Sequence, residues 1–266
     1  MHYNKLPFTQ LGHGPHTLLA FHGAGQHGAS CYQPFADKMG HHYTIYAFDL
    51  YFHGANLSAT DFHNEEVLSK AMWGQEIKKF LKSLQIDRFD VAGFSLGGRF
   101  ALATIEQFST QIDAVILMAP DGVTEHPIYT LASRFKPTRQ LFGWLMKNPN
   151  SLLRFAYLLK SVGIIHDSLY RFVNQLLNTP EKRLQIYNAW VGFRAFHFDI
   201  PQLYKLILQE DITLFLFTGK FDKLLPPRAV QPLSELLPPQ HFIILPCGHT
   251  QIVEKTAAYI LAKNLY

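Results

Sequence analysis

Residues 89–102 read FDVAGFSLGGRFAL, and the change of rhythm within this stretch decides the fold. Phe89, Val91 and Phe94 belong to a β-like run, Phe100, Ala101 and Leu102 to a helical one, and Gly93, Gly97 and Gly98 crowd around Ser95 between them. The order is strand, sharp turn, helix. A serine held at such a turn has a strained backbone and an Oγ that projects above the sheet. Small residues two positions away on either side are needed, because strand and helix nearly collide there. Gly93-Phe94-Ser95-Leu96-Gly97 meets that requirement. The following helix also aims its first N–H groups and its dipole at the turn, where negative charge is stabilised. Taken alone the pattern serves a tight turn as well as a nucleophile, so its surroundings must decide.

Working outward, further β-branched or aromatic runs occur at 17–21, 43–48, 114–118, 212–217 and 242–245. Helix-length segments separate them near 30–40, 64–85, 96–109, 227–237 and 250–263. Such alternation predicts an α/β fold: a mostly parallel central sheet flanked by helices on both faces. From 121 to 209 the strand-like runs stop. The sequence there is helical, aromatic and basic, as in RFKPTRQLFGWLMKNPNSLLRFAYLLKSVGII, LYRFVNQLLN and EKRLQIYNAWVGFRAF. Because the break falls between two core strands, it predicts a helical cap at 121–209 above the carboxyl edge of a sheet formed by 1–120 and 210–266. The cap segment holds eleven Lys/Arg against five Asp/Glu, so it carries the positive charge of the chain.

Composition bounds the rest. At 266 residues, with 48% hydrophobic and 17% charged, the chain has ample material for a core and no signature of disorder. The longest apolar runs, 115–119 and 212–217, are far below the roughly 18 residues that span a bilayer. The start, MHYNKLPFTQ, has no basic region followed by an apolar run, so a cytoplasmic location is the default expectation. Cys31 and Cys247 are too few for a disulfide framework and read as free thiols. The 14 histidines, notably His13/His16 and His41/His42, invite a metal hypothesis, but no HExxH or paired Cys/His spacing accompanies them. Neither a metal nor another cofactor is expected. A net charge of +4 without a long Lys/Arg block gives nucleic-acid binding little support.

In open α/β sheets, chemistry collects where strands end at their carboxyl edge. The run at 212–217 leads into TGKFDKLLPP, which places Asp222 in the next loop, and HFIILP leads into CGHTQ, which places His249 before the final helix. Ser95, Asp222 and His249 thus each follow a different strand. Asp121, in MAPDG, also follows a strand and is the alternative acid.

Four segments together carry a resemblance: FHGAG at 21–25, FDLYFHG at 48–54, GFSLGG at 93–98, and the pair GKFDKLLP and CGHT. The chain resembles the α/β-hydrolase fold superfamily of serine hydrolases over nearly all its length except the cap. The resemblance implies Ser95 as nucleophile, His249 as the base that takes its proton, and Asp222 as the group that fixes the imidazole. It also implies an oxyanion hole from the N–H groups of Leu96 and of Ala24, in His22-Gly23-Ala24-Gly25. His22 is expected to shape that loop. Where many relatives read Asp-Leu-Arg-Gly-His-Gly, this chain reads Asp49-Leu50-Tyr51-Phe52-His53-Gly54. Tyr51 and Phe52 therefore either wall a pocket or simply pack. Candidate substrate-facing residues are His22, Gly23, Tyr51, Phe52, Phe94 and Trp144. Relatives that form alkyl-ester intermediates use aspartate at the elbow, so a serine points to acyl chemistry. The expected activity is that of a carboxylesterase or lipase-like enzyme on a small or medium hydrophobic acyl substrate. Thioester, lactone, amide or carbon–carbon cleavage, and a small-molecule receptor without turnover, are the alternatives. The basic cap is either a solvated face or a surface for approach to a membrane.

Overall fold

The computed structural model describes residues 6–53, 67–125, 127–165, 170 and 177–265. Gly54, the first residues of the helix expected at 64–85 and most of LYRFVNQLLN lie outside them. The strands are β1 (Phe8–Leu11), β2 (His16–Phe21), β3 (Tyr43–Phe48), β4 (Phe89–Phe94), β5 (Ile112–Met118), β6 (Thr213–Gly219) and β7 (Phe242–Leu245). They form a seven-stranded sheet in the order β1-β3-β2-β4-β5-β6-β7. All neighbours are parallel except β1, which runs antiparallel on the edge against β3. From β2 the chain moves to β3 on one side and then to β4 on the other, so the β2/β4 boundary is the switch point where such sheets open a crevice. Every residue of β4 is buried, as a central strand covered on both faces requires.

On one face lie α1 (Gly28–Met39) and, at the end of the chain, α10 (Ile252–Lys263). Tyr32, Phe35 and Met39 of α1 and Ile260 of α10 pack with Ile45, Ala92, Met118 and Phe217 from four strands. On the other lie α2 (Lys70–Leu84), α3 (Gly97–Phe108) and α8 (Ile200–Gln209). Here the core is aromatic: Trp73 meets Phe21 and Phe100 edge-on at 5.3 and 4.8 Å, and Phe196 meets Phe100 at 5.1 Å. Each such ring contributes about 1.5–3 kcal/mol by leaving water. The indole N–H of Trp73 donates to Thr104 Oγ1 at 3.0 Å, so no polar group is stranded by that burial. Ser69 caps α2 by accepting from Met72 N–H.

The segment expected as a helix at 227–237 is instead a 3₁₀ turn, Pro227–Val230, followed by the single turn α9 (Gln231–Ser234). Pro226, Pro227 and Pro232 remove the backbone donors that a longer helix needs there.

The chain divides into two compact units, one of which gathers residues 125–195 with 67–68, while the other holds the sheet. The smaller unit contains α4 (Pro127–Arg134), α5 (Lys136–Lys147), α6 (Pro149–Ser161) and α7 (Pro180–Gly192). α5, α6 and α7 each carry proline in the first turn, where its missing N–H costs nothing. Their own core stacks Phe142 on Trp190 at 5.3 Å and seats Gly143 against the Tyr187 ring. Buried Arg183 donates to Met146 O and Leu177 O, tying α7 to the end of α5. This unit is narrower than the 121–209 read from sequence. Residues 121–124 and 196–209 group with the sheet, held by Arg99, which pairs with Asp121 and donates to Phe196 O at 2.8 Å. Among the described residues, no helix is long and apolar enough to cross a membrane.

Candidate active site

Ser95 stands at φ +51, in the left-handed region, between the last residue of β4 and the first of α3. A non-glycine residue gives up about 1–2 kcal/mol to be there. Three backbone hydrogen bonds hold it: its N–H donates to Met118 O at 3.0 Å, and its carbonyl accepts from Gly98 and Asp121 N–H, both at 2.8 Å. The glycines around it answer to close contact. A Cβ on Gly97 would stand 1.9 Å from Phe21 O, one on Gly93 2.7 Å from the Ala101 Cβ, and one on Gly98 2.5 Å from the Pro120 Cβ.

Parallel register brings the other strand ends alongside. Phe21 pairs with Gly93, Phe94 with Met118, Met118 with Phe217, and Gly219 with Leu245. After β6, Lys220 and Phe221 donate to Leu245 O and Cys247 O, so the loops bearing Asp222 and His249 are laced together. The Asp222 side chain is wholly buried. Its Oδ1 accepts from Leu224 and Leu225 N–H at 2.8 and 2.9 Å, and its Oδ2 accepts from His249 Nδ1 at 2.6 Å. A proton committed to that bond leaves His249 Nε2 with a lone pair, and Nε2 lies 3.1 Å from Ser95 Oγ. The imidazole is 14% exposed and rests against the Phe94 ring at 4.9 Å.

Asp121 goes elsewhere. Arg99, 1% exposed, donates through Nε to Asp121 Oδ2 at 2.6 Å and through Nη2 to Oδ1 at 3.2 Å. The Asp121 side chain, 26% exposed, is the salt-bridge partner of buried Arg99 and anchors the loop after β5, and His249 turns to Asp222 instead.

The loop from β2 to α1 is fixed by side chains. His22 is fully buried and uses both nitrogens: Nδ1 donates to Gly23 O at 2.7 Å, and Nε2 accepts from Leu50 N–H at 3.1 Å. Burial first, and then neighbouring His53, hold its pKa down at about 3. A neutral imidazole with no free nitrogen cannot touch a ligand, so His22 shapes the loop and leaves the set of candidate contact residues. The N–H of Gly23 is likewise taken, by Gln26 Oε1 at 3.1 Å. A Cβ there would meet the Phe94 ring at 2.9 Å. The N–H groups of Ala24 and Leu96 make no hydrogen bond among the described residues. Leu96 follows Ser95 directly, and Ala24 lies three residues beyond Phe21, which pairs with Gly93. Asp49 Oδ1 accepts from Gly28 N–H at 2.8 Å, capping α1 from the neighbouring strand end. Gln26, Arg99 and Asp49 had no local signal in the sequence, because each acts on a residue brought near only by folding.

Both cysteines are free and buried. Burial pushes the Cys31 thiol up to about 12 and raises that of Cys247, so neither is held as a thiolate. No group of three or more His, Cys, Asp or Glu that could hold a metal stands together among the described residues.

A family model described as the alpha/beta hydrolase fold matches residues 16–256. The chain belongs to that family. An uncharacterised protein of Mycobacterium tuberculosis is 31% identical over 136 residues, covering 50% of this chain and 38% of that protein. The chain thus spans well under two thirds of the curated relatives it matches. A thermophilic esterase of Thermogutta terrifontis is 16% identical, with a TM-score of 0.68 over 98% of this chain and 92% of that one. A meta-cleavage product hydrolase of Pseudomonas fluorescens is 19% identical, at 0.61 over 97% and 93%. An enol-lactonase of Burkholderia xenovorans is 14% identical, at 0.61 over 98% and 95%. At these identities the likeness to solved structures is one of fold.

Within this α/β hydrolase, the departure at Tyr51-Phe52 has a measurable cost. Phe52 holds φ +64, a left-handed conformation at the position where the family pattern has glycine. Tyr51 and Phe52 are 4% and 5% exposed, so both rings pack inside the protein. His53, also buried, donates from Nδ1 to Tyr51 O at 2.9 Å and is held neutral by burial, with a pKa of about 4. Trp144, on α5 of the smaller unit, is 52% exposed.

Proposed function

We propose that the chain is a cofactor-independent serine hydrolase that cleaves an ester-type bond of a small or medium hydrophobic substrate through a Ser95 acyl-enzyme. The observation that carries this reading is the hydrogen-bonded line from buried Asp222 through His249 to Ser95, at 2.6 and 3.1 Å, ending on a serine in a strained turn. As Ser95 Oγ attacks the substrate carbonyl, its proton passes to His249 Nε2, and Asp222 stabilises the imidazolium. The tetrahedral oxyanion takes hydrogen bonds from the unoccupied N–H groups of Leu96 and Ala24; losing one such donor costs on the order of 100-fold or more in rate. Collapse of the intermediate expels the alcohol, which leaves with the proton from His249. Water, deprotonated by the same nitrogen, then attacks the acyl carbonyl and releases the acid and Ser95. Phe94, whose ring lies 4.9 Å from the His249 imidazole, gives the site an apolar wall suited to a hydrophobic substrate.

The test is intact-mass labelling with a fluorophosphonate. Wild type gains one adduct, Ser95→Ala gains none, and p-nitrophenyl esters of graded chain length then rank substrates. Folded wild type that takes no label, or labelling that survives in Ser95→Ala, overturns the reading. The enol-lactonase and the meta-cleavage product hydrolase share the fold. Lactones and meta-cleavage products therefore belong in the same screen, and turnover of either in preference to every ester would move the bond type while leaving Ser95 in place.

A further inference from the structure

Among the described residues, the exposed apolar side chains are concentrated in one stretch of the sequence. Of sixteen exposed large hydrophobic residues among the described ones, ten lie between Leu131 and Ile164, on α4, α5, α6 and the turn after them. Phe135, Trp144, Tyr157, Leu158, Val162 and Ile164 are each more than half exposed. These helices already have buried faces, formed by Phe142, Leu145 and Met146 on α5 and by Leu152 and Ala156 on α6. The exposed set is therefore additional to the core of the unit. Single exposed apolar residues are ordinary, whereas a dense group of this kind marks a contact surface.

The charges of the same segment select what it contacts. Residues 131–164 contain six Lys/Arg and no Asp or Glu, although Arg139 is buried and Arg134 pairs with Glu125 just before the segment. Lys136, Lys147 and Arg154 are exposed beside the apolar side chains, and Lys160 Nζ lies 5.3 Å from the Tyr170 ring centroid. A second copy of the chain meeting this surface face to face would set like charges together. A surface with fixed negative charge and an apolar interior complements both features, and Trp, Tyr and Phe beside Lys and Arg is the composition that sits at such an interface.

We propose that residues 131–164 form a peripheral docking surface for an anionic lipid bilayer, with the aromatic and leucine side chains entering the headgroup region and the cations meeting lipid phosphates. No catalytic step enters this argument, so Ser95→Ala binds vesicles as wild type does.

The test uses the full chain with vesicles of phosphatidylcholine alone and of phosphatidylcholine mixed with phosphatidylglycerol. The chain has three tryptophans, of which Trp73 is fully buried and Trp190 partly so; Trp144 is the exposed reporter. The expected result is co-sedimentation with the anionic vesicles alone, a blue shift of tryptophan emission, and quenching by brominated lipid. Arg154→Gln weakens binding about five-fold and high salt weakens it further, while Leu158→Gln weakens it with turnover of a water-soluble ester unchanged. Equal binding to neutral vesicles overturns the anionic assignment. Absence of vesicle binding overturns the proposal. If light scattering then shows concentration-dependent association that Leu158→Gln abolishes, the surface belongs to a second copy of the chain.

Discussion

Asp222→Asn changes one atom and should silence the site. In the native arrangement Oδ1 accepts from two backbone N–H groups, Leu224 and Leu225, and Oδ2 accepts from His249 Nδ1. An asparagine must keep its oxygen toward the two N–H donors, because an NH₂ group there would face them donor to donor. Its NH₂ then points at His249 Nδ1, which can accept only by giving up its proton. The proton moves to Nε2, which now presents N–H to Ser95 Oγ instead of a lone pair. The serine loses its base. A wrong tautomer with intact geometry lowers kcat by about 10⁴-fold, equivalent to ~5.5 kcal/mol in the barrier. The assay is steady-state hydrolysis of the best p-nitrophenyl ester, with kcat and KM separated and folding checked by circular dichroism. KM should change little, since no substrate contact is removed. A folded Asp222→Asn protein within ten-fold of wild-type kcat would refute both the tautomer argument and the assignment of Asp222.

Asp121→Asn tests the alternative acid. It should leave kcat of the folded protein within a few-fold of wild type but lower stability by about 1–3 kcal/mol in urea unfolding, since a neutral amide answers the buried Arg99 charge less well than a carboxylate does; loss of turnover at unchanged stability would move the acid to Asp121. Gly97→Ala brings a methyl to 1.9 Å from Phe21 O and should cost about 3 kcal/mol or more, whereas Gly248→Ala, with nothing within 4 Å, should stay within about 0.5 kcal/mol. Equal midpoints for the two would show that the elbow is looser than its contacts indicate. His22 and His53 have folded pKa values of about 3 and about 4, below the ordinary 6.5. Their stabilising contribution is complete above pH 6.5 and is lost as pH falls toward those values, about 2 kcal/mol each by pH 5. Asp90, raised by burial to about 6, acts in the opposite sense, favouring the fold below its ordinary 3.8 and losing that contribution as pH rises through 6. It returns about 1 kcal/mol over the same interval. Urea unfolding at pH 7 and pH 5 should therefore show a net loss of about 2.5 kcal/mol; a gain on acidification would show that the two imidazoles are already protonated in the fold.

Local signals carried the sheet strands and the three candidate residues, because Ser95, Asp222 and His249 each follow a run of β-branched or aromatic residues and precede turn chemistry. Where reading failed, the cause was tertiary. β1 is four residues on the edge, with half its side chains exposed, and takes its definition from pairing with β3, which lies more than thirty positions further along the chain. The helix expected at 227–237 gave way to its prolines. The segment read as a cap, 121–209, is divided differently by the fold, since Arg99 draws Asp121 and Phe196 to the unit that holds the sheet.

By itself, then, the sequence determined the class of fold, the strand-turn-helix at Ser95 and the placing of Asp222 and His249 after later strands, since periodicity, glycine spacing and turn residues act between near neighbours. Only the tertiary structure decided which aspartate faces His249, which N–H groups beside Ser95 stay unpaired, and that His22 has no nitrogen to spare. Those outcomes depend on strand register and on pairings such as Arg99 with Asp121 and Gly23 with Gln26. A hydrogen bond goes to whichever partner folding brings within 3 Å, and spacing along the chain does not encode that choice.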